Sequence, residues 1–72
     1  MEAVKRLTIN RRGIGFFKAI LESYEEVALM TVLDGRTGRI ELTYPSTAAV
    51  DLEAIIADLA RFDVVITEAE DV

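Results

Sequence analysis

The stretch NRRGIG, Asn10 to Gly15, holds the best grouping of residues that could do chemistry in this chain. Arg11 and Arg12 carry guanidinium forks, which bind a carboxylate or phosphate through charge-assisted, bidentate hydrogen bonds. Gly13 and Gly15 would let a ligand or a second backbone come close. If a helix begins here, its first amide N–H groups lack partners within the helix and add partial positive charge. Asn10, Arg11, Arg12, Gly13, Ile14 and Gly15 are therefore the candidate ligand-binding residues, for an anion or another small ligand. The same stretch also reads as a plain turn, with glycines that fit a helix onto a sheet. A third reading is a catalytic loop that binds a phosphoryl group and activates water.

The rest of the chain decides which chemistry is open to those residues. Its 72 residues include no His and no Cys. Imidazole and thiolate chemistry, disulfides and the usual zinc sites are thereby excluded. The carboxylates show no recognisable catalytic pairing. Asp51, Glu53 and Asp58 read as a solvated helix face rather than as converging oxygens around a cation. No catalytic residue, no metal and no cofactor is assigned, and an enzyme is not expected.

Charge narrows the partners. Thirteen acidic residues against eight basic ones give a net charge of −5, the wrong sign for a nucleic-acid binder. The cations are uneven, with Lys5, Arg6, Arg11, Arg12 and Lys18 all near the start. No segment approaches the ~20 apolar residues that span a bilayer, and MEAVKRLTIN lacks the apolar core of a signal peptide. A cytoplasmic chain with no membrane partner is expected. Phe16, Phe17, Tyr24, Tyr44 and Phe62 read as core and boundary aromatics.

The elements that must position the candidate residues follow from periodicity. KRLTIN alternates, with Leu7 and Ile9 on one face and Arg6, Thr8 and Asn10 on the other, as a half-buried strand does. From Ile14 the period becomes helical, and Ile14, Phe17, Ile20, Leu21 and Tyr24 gather on one side. Asn10 is placed to cap that helix, and SYEE reads as its end and an exposed loop. VALMTVL is a strand running into the glycine-containing loop DGRTG, and RIELTY returns with Ile40, Leu42 and Tyr44 inward. Pro45 stops it, and Ser46 or Thr47 would cap a helix in which Leu52, Ile55, Ile56 and Leu59 share a face. DVVIT is a short fourth strand, and the acidic tail of about 68–72 is expected to fray.

The order β-α-β-β-α-β predicts one α+β domain over residues 1–72. It is a ferredoxin-like sandwich, a four-stranded antiparallel sheet with both helices on one face. The second strand is an edge in that arrangement. Pairing Val32 with Ile40, Met30 with Leu42 and Ala28 with Tyr44 turns those side chains toward the helices. Val27, Leu29, Thr31 and Leu33 are left on the open face. A slip of one residue would expose Met30 and Val32 instead. An edge strand uncharged from Val27 to Leu33 invites pairing with another chain. A chain this short also gains from assembly, because it buries only about 60% of its unfolded surface. Homodimerisation through Val27, Leu29, Thr31 and Leu33, or through the open sheet face, is expected.

Three resemblances bear on function. NRRGIGFFKAILESY resembles the strand-to-helix junction of ACT domains, with Asn10, Gly13, Ile14, Phe17 and Leu21 matching, although Arg12 stands where many of them have proline. ACT domains are small regulatory modules that usually dimerise and bind amino acids at the dimer interface near that glycine. The resemblance therefore implies an ACT-like homodimer with an amino acid or small carboxylate as ligand. The run FFKAILESYEEVALMTVLDGRTGRIEL is similar to a family of short bacterial domains of unknown function, which implies no activity. GIGFFK resembles the glycine loop of acylphosphatase. Phe17, however, replaces its phosphate-cradling arginine, and VALMTVL lacks the asparagine that orients water. A ligand-free interaction module remains the alternative to a small-molecule binder.

Overall fold

The computed structural model describes residues 1–24 and 27–72. Alternation around Leu7 and Ile9 produces β1, Glu2–Ile9. Helical periodicity produces α1, Arg11–Ser23, which buries Gly13, Phe17 and Leu21 at four-residue spacing. Ile14 and Ile20 pack on its flanks. The hairpin consists of β2, Leu29–Asp34, and β3, Arg39–Pro45. A 3-10 turn over Ser46–Ala48 leads into α2, Ala49–Leu59. A second 3-10 turn, Ala60–Phe62, precedes β4, Ile66–Asp71.

The sheet order is β2-β3-β1-β4, with every neighbouring pair antiparallel. This is the ferredoxin-like α+β arrangement, with β1 and β3 central and β2 and β4 at the edges. One apolar cluster joins Leu7, Ile9, Ile40, Leu42 and Tyr44 of the sheet to Phe17 and Leu21 of α1 and to Leu52, Ile55 and Leu59 of α2. Phe17, Ile40, Leu42 and Leu52 are wholly enclosed. Burying each such side chain stabilises the fold by about 1.5–3 kcal/mol. The hairpin register matches the sequence reading, with Val32 opposite Ile40 and Met30 opposite Leu42.

Four local expectations are corrected. The acidic tail does not fray but forms β4, because its acids meet bases across the ladder. Asp71 lies opposite Lys5 and Glu70 opposite Arg6, and Glu70 also accepts a hydrogen bond from Arg39 Nη2 at 3.0 Å. Val27, expected on the open face, is buried. It precedes β2, so strand alternation does not govern it, and it turns into the core. Ser46 and Thr47 lie inside the 3-10 turn and cap nothing. Tyr24, expected on the apolar stripe of α1, is half exposed just past the helix end. Glu25 and Glu26 of the SYEE segment lie outside the described residues.

Lys5 sits on the helix side of β1, only 8% exposed. Its Nζ meets the carboxylates of Asp71 on β4 and Glu53 on α2, the latter at 3.0 Å. The hydrogen bond to Asp71 raises its pKa above the usual lysine value; burial opposes this and Glu53 reinforces it. Lys5 therefore stays charged and ties three elements together. Glu53, expected to be free on a solvated face, is one of its anchors.

Candidate functional site

The junction between β1 and α1 is positioned by two devices that the fold supplies. The first is Asn10. Its backbone is extended, as at a helix cap, but its side chain bonds none of the α1 amides. Instead its Nδ2 donates to the Asp63 carbonyl at 3.0 Å, and its Oδ1 accepts from the Val65 N–H at 2.9 Å. The Asn10 N–H also donates to the Val65 carbonyl at 3.1 Å. Asn10 thus staples the start of α1 to the segment entering β4. Asp63 adopts φ of 63°, a left-handed conformation that aspartate tolerates, and so turns its carbonyl into reach.

The second device is the hairpin loop between β2 and β3. Gly38 has φ of +81°, and its carbonyl accepts the Ile9 N–H at 2.9 Å. This bond holds the loop against the end of β1, one residue before the candidate site begins. Asp34 closes the loop by accepting the Arg36 and Gly38 N–H groups at 2.9 and 3.0 Å.

Between the loop and the first turns of α1 lies an open cleft of about 740 Å³, lined by Arg11, Arg12, Ile14, Gly15, Val32 and Gly35. Four of the six sequence-derived candidates therefore converge. Asn10 and Gly13 do not. Gly13 is buried, and an added Cβ would lie 2.8 Å from Val64 Cγ1 and 2.9 Å from Asn10 Oδ1. Its role is close packing of α1 against the Val64 segment. Gly15 is exposed, with open space where its Cβ would be.

The electrostatics of the cleft favour an anion. Lys5, Arg6, Arg39 and Arg61 are held in ion pairs. Arg11, Arg12, Lys18 and Arg36 make no ion pair among the described residues. Three of these lie on α1, and the fourth follows Gly35 of the cleft. The Arg11 and Arg12 N–H groups likewise have no acceptor among the described residues, whereas the Gly13 N–H is taken by the Asn10 carbonyl at 2.8 Å. In a chain of net charge −5, two of the four cations without an ion pair among the described residues, Arg11 and Arg12, thus line one cleft.

Sequence reasoning missed Val32 and Gly35, which reach the cleft only because the hairpin folds beside α1. It also missed a second cleft of about 540 Å³ at the opposite end of α1, between Leu21, Tyr24, Leu29 and Tyr44. Among the described residues, the charged ones lining that cleft are Glu2 and Glu22, which would repel a carboxylate. Phe17, standing where acylphosphatase has arginine, is wholly buried. Among the described residues no group of three acidic side chains could hold a metal ion, and no helix is long and apolar enough to cross a membrane.

The fold and the cleft define a small ferredoxin-like α+β domain with two arginines at the first turn of its first helix that make no ion pair among the described residues. The chain belongs to the family described as a domain of unknown function, DUF4911, whose model matches residues 7–62. That span contains every residue lining the Arg11–Arg12 cleft. Among curated proteins and among solved structures, nothing matches this chain.

Proposed function

We propose that this domain is a cytoplasmic, non-catalytic binding module with ACT-like regulatory use, taking an amino acid or another small carboxylate at the Arg11–Arg12 cleft. The observation that carries this reading is the meeting of Arg11, Arg12, Ile14 and Gly15 in one cleft, with neither guanidinium group in an ion pair among the described residues. The carboxylate would sit against the Arg11 and Arg12 amides, with Arg12 adding charge-assisted hydrogen bonds. Ile14 and Val32 offer apolar surface to a side chain. The cleft is open, and an open cleft leaves much of a small ligand in water. Val32 also belongs to edge strand β2, so a second copy of the chain joined there would narrow the cleft. A homodimer is part of the proposal for that reason.

A thermal-shift screen with the twenty amino acids, acetate and succinate tests the proposal. A ligand at about ten times its Kd adds about 1.4 kcal/mol, which raises Tm by roughly 5–11 °C in a domain of this size. If none of these compounds shifts the melting curve at millimolar concentration, the junction is only a turn. The interaction-module reading then stands first. It is favoured by one observation of its own, the exposure of Leu29 to 75% on an edge strand with no charge before Asp34.

Catalysis is a separate test. Acetyl phosphate should not be hydrolysed above background, because a wholly buried Phe17 cannot cradle a phosphoryl group and β2 carries no asparagine. Turnover that disappears in Arg12→Ala would make the cleft an active site instead.

A further inference from the structure

The two edges of the sheet differ in a way that selects a partner. β4 carries Glu68, Glu70 and Asp71, so pairing it with itself would set acids against acids. Charged edges of this kind protect a sheet against association. β2 has no charge before Asp34, and Leu29, Val32 and Leu33 are 75%, 47% and 44% exposed. Pairing β2 of one copy with β4 of the next would place apolar residues opposite acids. It would also be a head-to-tail contact, which builds rings or open filaments rather than a two-fold dimer. Only β2 against β2 joins like surfaces and closes as a dimer.

The register follows from the side chains. Residues directly opposite each other in an antiparallel pair point to the same face. With both helical layers on the same side of a joined sheet, the two-fold axis must then pass through a residue, and Met30, Thr31 and Val32 are the central choices. An axis at Val32 sets Asp34 against Met30. An axis at Met30 sets Leu29 against Thr31 and leaves Leu33 beyond the strand of the other copy. An axis at Thr31 matches like with like on both faces. The β2–β3 register shifts between Val32 and Asp34, so the irregularity falls at Leu33, the last residue of this stretch, and the pairing is short.

We infer that two copies of this chain join through β2, antiparallel about an axis at Thr31, with Leu29 opposite Leu33 and Met30 opposite Val32 of the other copy. This rests on the homodimer proposed above and fixes how it is built. The joined sheet has eight strands, its acidic β4 edges lie at the far ends, and Met30 of each copy comes beside Val32 of the other.

Cysteine cross-linking reads the register, because the chain has no cysteine of its own. In this arrangement the two Thr31 Cα atoms lie about 4.5–5.5 Å apart, within the range a disulfide spans. Two Met30 or two Val32 Cα atoms would be about 8 Å apart, beyond that range. Oxidation of Thr31→Cys should therefore convert most of the chain to a covalent dimer that a thiol reductant splits, whereas Met30→Cys and Val32→Cys should run as monomers in denaturant without reductant. A mixture of Leu29→Cys and Leu33→Cys should cross-link to each other more readily than either does alone. That mixture carries the test if Thr31→Cys fails to fold. Light scattering of the unmutated chain at high micromolar concentration should show twice the monomer mass. A monomer would overturn both the homodimer and this inference. A dimer that cross-links at Met30 or Val32 but not at Thr31 would overturn the register and leave the homodimer standing.

Discussion

Gly38→Ala should abolish the cooperative fold at room temperature. The new Cβ would lie 1.7 Å from the Ile9 carbonyl oxygen and 2.9 Å from its carbon, which are backbone atoms that cannot turn aside. Gly38 also has φ of +81°, where an alanine is strained even in open space. Relieving the clash means breaking the Ile9 N–H bond to the Gly38 carbonyl and parting the hairpin loop from β1. Steric overlap, strain and a lost hydrogen bond together should cost about 3–5 kcal/mol. A domain of this size has about that much stability in all. Circular dichroism during urea denaturation would read it. A transition within about 1 kcal/mol of the parent would show that the loop can move, and that it does not fix the cleft.

Gly13→Val should destabilise by about 2–4 kcal/mol, while Gly15→Ala should stabilise by about 0.5–1 kcal/mol. The two glycines lie two positions apart on α1 but meet opposite surroundings. A side chain at position 13 drives into Val64, a buried branched residue, and into the Asn10 amide that staples α1 to the β4 side. Position 15 faces open space, so a methyl group there only removes the entropy cost of a helical glycine. Urea denaturation of the two variants should move the midpoint in opposite directions. A Gly13→Val chain as stable as the parent would show that α1 does not need that close approach.

Much of the fold was legible because each core element presents one clean period. Ile40, Leu42 and Tyr44 alternate, Leu52, Ile55 and Leu59 recur helically, and both patterns are buried as read. The hairpin register followed from matching Val32 to Ile40 and Met30 to Leu42. The fourth strand was expected at DVVIT, three residues too early, because composition was read without its partner strand. The acidic stretch from about residue 68 looks like a solvated tail until Lys5 and Arg6 are placed opposite Asp71 and Glu70. The consecutive bases in β1 were the available signal, since a strand that puts bases on both faces calls for acids beside it.

The candidate site was legible only in part. Arg11, Arg12, Ile14 and Gly15 converge as the stretch suggested, because the first turns of a helix present neighbouring residues to one side. Asn10 was misread because a residue of cap type in a cap position is expected to bond the helix in front of it. Its side chain instead bonds Asp63 and Val65, more than fifty positions away, and no local pattern announces that. Gly13 and Gly15 look alike in the sequence. What separates them is Val64, which reaches Gly13 only through tertiary packing.

The proposed carboxylate site is tested most directly by calorimetric titration of the unmutated chain and of Arg12→Ala, using the amino acid that gives the largest thermal shift. Arg12 is exposed and makes no ion pair among the described residues, so its removal should leave the melting temperature of the free protein nearly unchanged. Losing its charge-assisted hydrogen bonds should weaken binding by about 1.5–3 kcal/mol, roughly ten- to a hundredfold in Kd. Equal affinity in the two proteins would place the ligand elsewhere and contradict the account.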